Sequence, residues 1–196
     1  MVIGIYSGSF DPLHIGHTMV ASYVAQYGGV DRVWLLVSRI NPLKEGVRQP
    51  ASDADRLAMA RLAVSGVTDI EVSDIEMHLP SPSYTYETLC ELRRRHPGHQ
   101  FRLIIGSDNL LVFDRWRNAD RILREFGVIV FPRPGYEVEA SQVPEGATLL
   151  TGVPVADISS TFIRRAAAEG KDVRFFLPAG IADYIATRRL YRHIPK

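Results

Sequence analysis

Six short apolar runs punctuate the chain: VIGIYSG from Val2, RVWLLVS from Arg32, DIEVSDI from Asp69, FRLIIG from Phe101, GVIVFP from Gly127 and ATLLTG from Ala147. Each is bounded by turn residues and most are apolar along their whole length, which predicts strands buried on both faces. Between them, HTMVASYVAQYGG, ASDADRLAMARLAVSG, TYETLCELRRRH and NADRILREFG carry apolar residues at helical spacing, as at Leu57, Ala58 and Leu62 or at Leu89, Cys90 and Leu92. The alternation predicts an α/β fold, a doubly wound parallel sheet with helices on both faces. Two C-terminal helices follow, ISSTFIRRAAAEG and PAGIADYIATRRLY, the first with Ser159 or Ser160 as N-cap and Gly170 as terminator. The stretches NPLKEGVRQP and RPGYEVEASQVPEG contain several Pro and Gly residues and are long enough to be functional loops.

At 196 residues the chain is expected to form one domain over residues 1–196. A formal charge of +1 supplies no global field for wrapping nucleic acid, so any phosphate recognition must be local. Cys90 is the only cysteine, which excludes an intrachain disulfide and a cysteine-clustered zinc site. It reads as a small residue on a helix face. The chain opens directly on strand-like VIGIY, without signal-peptide or membrane-span character, and a cytoplasmic location is expected. His78, His96, His99 and His193 share no metal-site spacing, and the basic stretches RRRH and RRLYRH read as solvated helix ends. No nucleic-acid or membrane partner is expected.

The chemistry concentrates in GSFDPLHIGH, Gly8 to His17, at the junction of the first strand and the first helix. In an open parallel sheet, ligands bind beyond the carboxyl ends of the strands where the strand order reverses. Gly8 and Gly16 remove side-chain bulk there, and His14 and His17, three residues apart, share one face of the first helical turn. Unpaired N–H groups and the helix dipole favour an anion at that turn. Imidazoles beside a polyphosphate are expected to become cationic, because nearby negative charge raises their pKa.

This stretch closely resembles the first signature of the nucleotidyltransferase superfamily and contains the HIGH tetrapeptide shared with class I aminoacyl-tRNA synthetases. ISSTFIRR, residues 158 to 165, matches a second signature, a serine-rich turn into a basic helix. Further matches, SPSYTYETL, IIGSDNLLVFDRW, VFPRPG and FLPAGIADYIATRRLY, resemble the bacterial nicotinate mononucleotide adenylyltransferases and run from the first strand to the final helix. The resemblance implies a Rossmann-like fold and adenylyl transfer from ATP to nicotinate mononucleotide, giving nicotinate adenine dinucleotide and pyrophosphate. It implies that His14 and His17 hold the ATP phosphates and that backbone at Ser7, Gly8, Ser9 and Phe10 lines the junction between the substrates. Ile158, Ser159 and Arg164 join the ATP site, with magnesium bridging phosphate oxygens rather than sitting in a protein cage. Gly106 lets ligand or backbone come close. Asp108 is a partner for ribose hydroxyls or a helix cap.

For the pyridine nucleotide, the resemblance implies main-chain N–H groups around Tyr84 and Thr85 for the nicotinate carboxylate, and Trp116 offers a π face to the cationic ring. Lys44 is the loop cation after the second strand, although Asn41, Pro42 and Leu43 replace the Pro-Pro-His of the commoner family pattern. Arg133 touches the mononucleotide phosphate or braces its loop. Three other readings stay open. One is a sibling enzyme acting on nicotinamide mononucleotide, phosphopantetheine or a cytidylyl acceptor. Another is a synthetase fragment, for which the Lys-Met-Ser-Lys-Ser loop is missing. The last is a nucleotide sensor without turnover on the same fold. A homo-oligomer is left open.

Overall fold

β1 (Val2–Gly8) sits inside the sheet because both of its faces are apolar: Ile3 and Ile5 point to one side, Tyr6 to the other. The computed structural model describes residues 1–39 and 50–192. β2 (Arg32–Val37) and β3 (Ile70–Ser73) lie to one side of β1; β4 (Gln100–Gly106), β5 (Val128–Phe131) and β6 (Ala147–Leu149) lie to the other. All pairs are parallel in the order β3-β2-β1-β4-β5-β6, so the winding reverses between β1 and β4. That is the Rossmann-like arrangement expected, and the reversal marks where a ligand crevice opens.

α1 (Ile15–Tyr27) covers one face, burying Val20, Ala21 and Val24 against Val33, Leu35 and Ile104. α3 (Thr85–Arg95) and α5 (Ala119–Glu125) cover the other, where Leu89, Leu92 and Ile122 meet Ile3, Ile5 and Leu103. A third cluster joins α2 (Asp53–Ala63) to α6 (Ser160–Ala168) and α7 (Ile181–Thr187) through Met59, Ile163, Ile181 and Ile185. Ser159 is the α6 N-cap, its hydroxyl accepting from the Phe162 N–H at 3.1 Å.

Two departures from the expected elements have simple causes. DIEVSDI divides into β3 and a 3₁₀ turn, Ile75–His78, because Asp74 leaves the extended conformation at φ −105° and ψ 17°, so the ladder stops at Ser73 opposite Leu36, one residue before β2 ends. α4 (Ser107–Leu110) is too short for its periodicity to be visible. The arginines that close α3 are paired, Arg93 with Glu125 at 3.1 Å and Arg94 and Arg95 with Glu91 at 2.8 and 2.6 Å. Among the described residues, no helix is long and apolar enough to cross a membrane.

Candidate active site

The chain leaves β1 at Gly8, turns through Phe10 at φ 45° and enters α1 after His14. Phe10 is buried, and its ring packs where a Gly8 Cβ would stand, 2.9 Å from the nearest ring carbon. Gly16 has the same relation to His14, whose ring atoms would lie 3.1 Å from an added Cβ. The spacing pointed to room for a ligand at these glycines, whereas the space is taken by the chain's own rings.

Those rings stack. His14 and His17 lie 3.7 Å apart between centroids at 28°, and Phe10 meets His17 edge-on at 5.1 Å. The His14 backbone N–H donates to His17 Nδ1 at 3.2 Å, which leaves Nε2 as the protonated nitrogen of a neutral His17. Both imidazoles have lowered pKa values in the free protein; the cationic pair is an expectation for the phosphate-bound state. Burial takes the His14 imidazole down to about 4, helped by Arg133, and burial together with His14 and Arg133 holds His17 well below its usual range.

The sign of this effect sets a pH dependence. A histidine depressed in the folded state stabilises the fold above its unfolded pKa, and the benefit is lost as pH falls through the folded value. For His14 the window runs from 6.5 down to about 4. At about 1.4 kcal/mol per pH unit this amounts to roughly 3 kcal/mol. Urea midpoints at pH 7.5 and 4.5 should therefore differ more for the wild type than for His14→Gln, and parallel curves would refute this coupling.

A second group of side chains grips the same loop from α6. Arg164 Nη1 donates to the Asp11 carbonyl at 2.7 Å and Nη2 to Thr161 Oγ1 at 3.1 Å, while its buried Nε has no partner. Ser160 Oγ donates to the Pro12 carbonyl at 3.0 Å. α6 is thus tied directly to the histidine loop, and Ser159 stands exposed at its N-terminus. Ile158, one residue earlier, packs against the α6–α7 cluster.

At the far side of the winding reversal, Gly106 ends β4 and Asp108 pairs with Arg133 from the end of β5 at 3.0 Å. The Arg133 N–H donates to Ser107 Oγ at 2.9 Å, so Arg133 braces its loop in this state, and Asp108 also accepts from Asn109 Nδ2 at 3.3 Å. Tyr84, Thr85 and Trp116 lie on the α3–α5 face. Tyr84 is the N-cap of α3 and carries the Arg117 guanidinium over its ring at 4.7 Å. Trp116 packs against Phe113 at 5.2 Å, with its indole Nε1 buried and without a partner. Its side chain also lines a cavity of about 630 Å³ with Leu110, Phe113, Val138 and Pro144. Lys44, with Asn41, Pro42 and Leu43, lies outside the described residues.

Several residues at the loop escaped the motif reading. Arg56 is fully buried and donates to the Ser9 and Ser38 carbonyls; its position on the α2 face that also buries Met59 and Ala60 was a readable signal, a charge where the helical pattern wants an apolar residue. Asp11 is 1% exposed and accepts from Tyr191 Oη at 2.7 Å, and burial raises its carboxyl above the usual range. Nothing in the spacing linked it to a tyrosine at the other end of the chain.

The family model described as cytidylyltransferase-like matches residues 5–166. A Bacteroides fragilis protein named "Probable nicotinate-nucleotide adenylyltransferase" is 48% identical over 174 residues, covering 89% of this chain and 86% of the relative. A Flavobacterium johnsoniae protein of the same name is 38% identical over 98% of this chain and all of its own length. Among solved structures, a Plasmodium falciparum nicotinic acid mononucleotide adenylyltransferase complexed with NaAD superposes with a TM-score of 0.82 at 22% identity, over 97% of each chain. At that identity the likeness speaks for the fold.

Proposed function

Since the chain belongs to the nicotinate-nucleotide adenylyltransferases within the cytidylyltransferase-like family, we propose that it transfers the adenylyl group of ATP to nicotinate mononucleotide, a step of NAD synthesis. The observation that carries this reading is the stacked His14–His17 pair on the first turn of α1, beside the reversal between β1 and β4. No protein nucleophile is required. An oxygen of the mononucleotide phosphate attacks the α-phosphorus of ATP, the bond from that phosphorus to the bridging oxygen breaks, and pyrophosphate leaves with the electron pair.

The protein's share is to align two anions and to neutralise charge that grows in the transition state. With Nδ1 occupied, His17 presents its Nε2 hydrogen to an α-phosphate oxygen, and the approaching polyphosphate draws both imidazoles toward the protonated form. His14 holds the neighbouring phosphates. Ser159 and Arg164 take the β- and γ-phosphates, and Arg164 links that grip to the loop through the Asp11 carbonyl. Ser7, Gly8, Ser9 and Phe10 line the junction between the substrates; Ile158, Gly106 and Asp108 complete the ATP side. Lys44 and Arg133 serve the mononucleotide phosphate, and Tyr84, Thr85 and Trp116 the nicotinate ring.

Magnesium in this reading travels with ATP. The carboxylates beside the site are already engaged, Asp11 by Tyr191 and Asp108 by Arg133, and the described residues contain no cluster of three or more metal-ligating side chains. Magnesium bound with ATP would take phosphate oxygens and water as ligands and would supply charge neutralisation as pyrophosphate leaves. The unpaired Cys90 suits a reducing, cytoplasmic compartment.

The test is pyrophosphate release with ATP and magnesium, comparing nicotinate mononucleotide with nicotinamide mononucleotide and phosphopantetheine. Preference for the nicotinate form is expected. Preference for another acceptor would keep the ATP site and overturn the pocket, and ATP binding without turnover would make the chain a sensor. In the same assay Trp116→Ala should raise KM for the nicotinate substrate about tenfold, with KM for ATP nearly unchanged, as loss of a cation–π contact implies. An unchanged nicotinate KM would remove Trp116 from the pocket.

A further inference from the structure

Pairing between β1 and β2 ends with Gly8 opposite Val37 and one last backbone bond, from the Ser38 N–H to the Gly8 carbonyl at 2.9 Å. Beyond that point β1 leads into the histidine loop and β2 into Ser38 and Arg39. A side chain takes over the cross-link. Arg56 Nη1 donates to the Ser9 carbonyl at 2.6 Å and to the Ser38 carbonyl at 2.7 Å, one residue past the ladder on the first strand and on the second. We propose that Arg56 is a positioning residue for adenylyl transfer, fixing the exits of β1 and β2 against each other and so setting where His14 and His17 stand. The inference rests on the adenylyl-transfer reading above.

The guanidinium is itself held on three sides. Its Nη2 pairs with Asp53 at 2.7 Å, within the first turn of α2. That turn is capped by Ser52, which accepts the Asp55 N–H at 3.1 Å. The Asp55 carboxylate then accepts from Tyr184 at 2.9 Å and Arg188 at 3.1 Å, at the C-terminal end of the chain. α2 therefore cannot slide without breaking contacts to α7. Packing alone gives no reason for a charge here: the side chain is fully buried, its Nε has no partner, and its helix neighbours on that face are Met59 and Ala60. A buried cation is costly, so a leucine or methionine would serve a merely structural role better. What an aliphatic residue cannot do is bind two carbonyls from one rigid, planar donor.

The experiment uses the full chain, with kcat expressed per folded molecule from each variant's denaturant curve. Arg56→Lys keeps the charge and the reach to Asp53 but not the planar double donor. Its kcat should fall about 10- to 100-fold while both KM values stay within about threefold, because displaced reacting groups cost rate rather than ground-state binding. Arg56→Ala should regain part of its kcat when millimolar methylguanidine is added, and none with a stabilising osmolyte alone. Asp53→Asn, which leaves both carbonyl bonds in place, should keep kcat within about twofold. A wild-type kcat in folded Arg56→Lys, or recovery of Arg56→Ala by osmolyte without methylguanidine, would overturn the proposal while leaving the adenylyl-transfer reading intact. A wild type that releases no pyrophosphate with nicotinate mononucleotide would overturn both.

Discussion

His17→Ala should lose at least about 1,000-fold in kcat for pyrophosphate release, because the proposed mechanism aims its donor at charge that develops only in the transition state. The fold should survive. The residue is half-buried, and the hydrogen bond it loses is the one it accepts from the His14 N–H, a capping interaction of about 1 kcal/mol. Circular dichroism and a urea midpoint near that of the wild type would establish a folded variant. Wild-type-like turnover in such a variant would strip His17 of its assigned role. His17→Gln should recover little, since an amide can accept the His14 N–H or present a donor to phosphate but lacks the imidazole's capacity to gain a proton as the polyphosphate approaches.

Gly106→Ala should be nearly as damaging for a steric reason. A methyl group there would stand 2.6 Å from Arg133 Cδ and overlap the Asp108 carboxylate, so the ion pair that bridges the ends of β4 and β5 must swing away. A loss of about 1–3 kcal/mol in stability is expected from the overpacking. A drop of about 100-fold in kcat/KM should accompany it, since two groups assigned to the substrates are displaced together. The double variant Gly106→Ala with Arg133→Ala separates the two effects: stability should partly return once the clashing side chain is gone, while activity stays low. If activity returned with stability, Arg133 would be a brace and nothing more.

The fold was largely legible because buried parallel strands and amphipathic helices write different periods into a chain, and here they alternate cleanly. Errors fell at the sheet edges. β3 and β6 have only one neighbour each, and their ladders stop at Ser73 opposite Leu36 and at Leu149 opposite Val130, one residue before that neighbour ends, a limit no local pattern records. The site was legible wherever its residues share one motif: Phe10, His14, Gly16 and His17 come together because a single turn of chain carries them. Ser159 and Arg164 were readable for the same reason, on the first turns of α6.

The charge state of the histidines was not. It depends on burial by Phe10 and neighbouring chain and on the proximity of Arg133, which reaches them from the end of β5 only because β4 and β5 follow β1 in the sheet. The Tyr191–Asp11 bond likewise joins the two ends of the chain, and Arg56 reaches the histidine loop from α2. From the residues alone came the alternation of strand and helix, the turn between β1 and α1 proposed for phosphate and the side chains it carries. Strand order and helix packing then determined which distant groups those side chains meet, because burial and long-range hydrogen bonds arise from three-dimensional proximity that spacing along a chain does not contain.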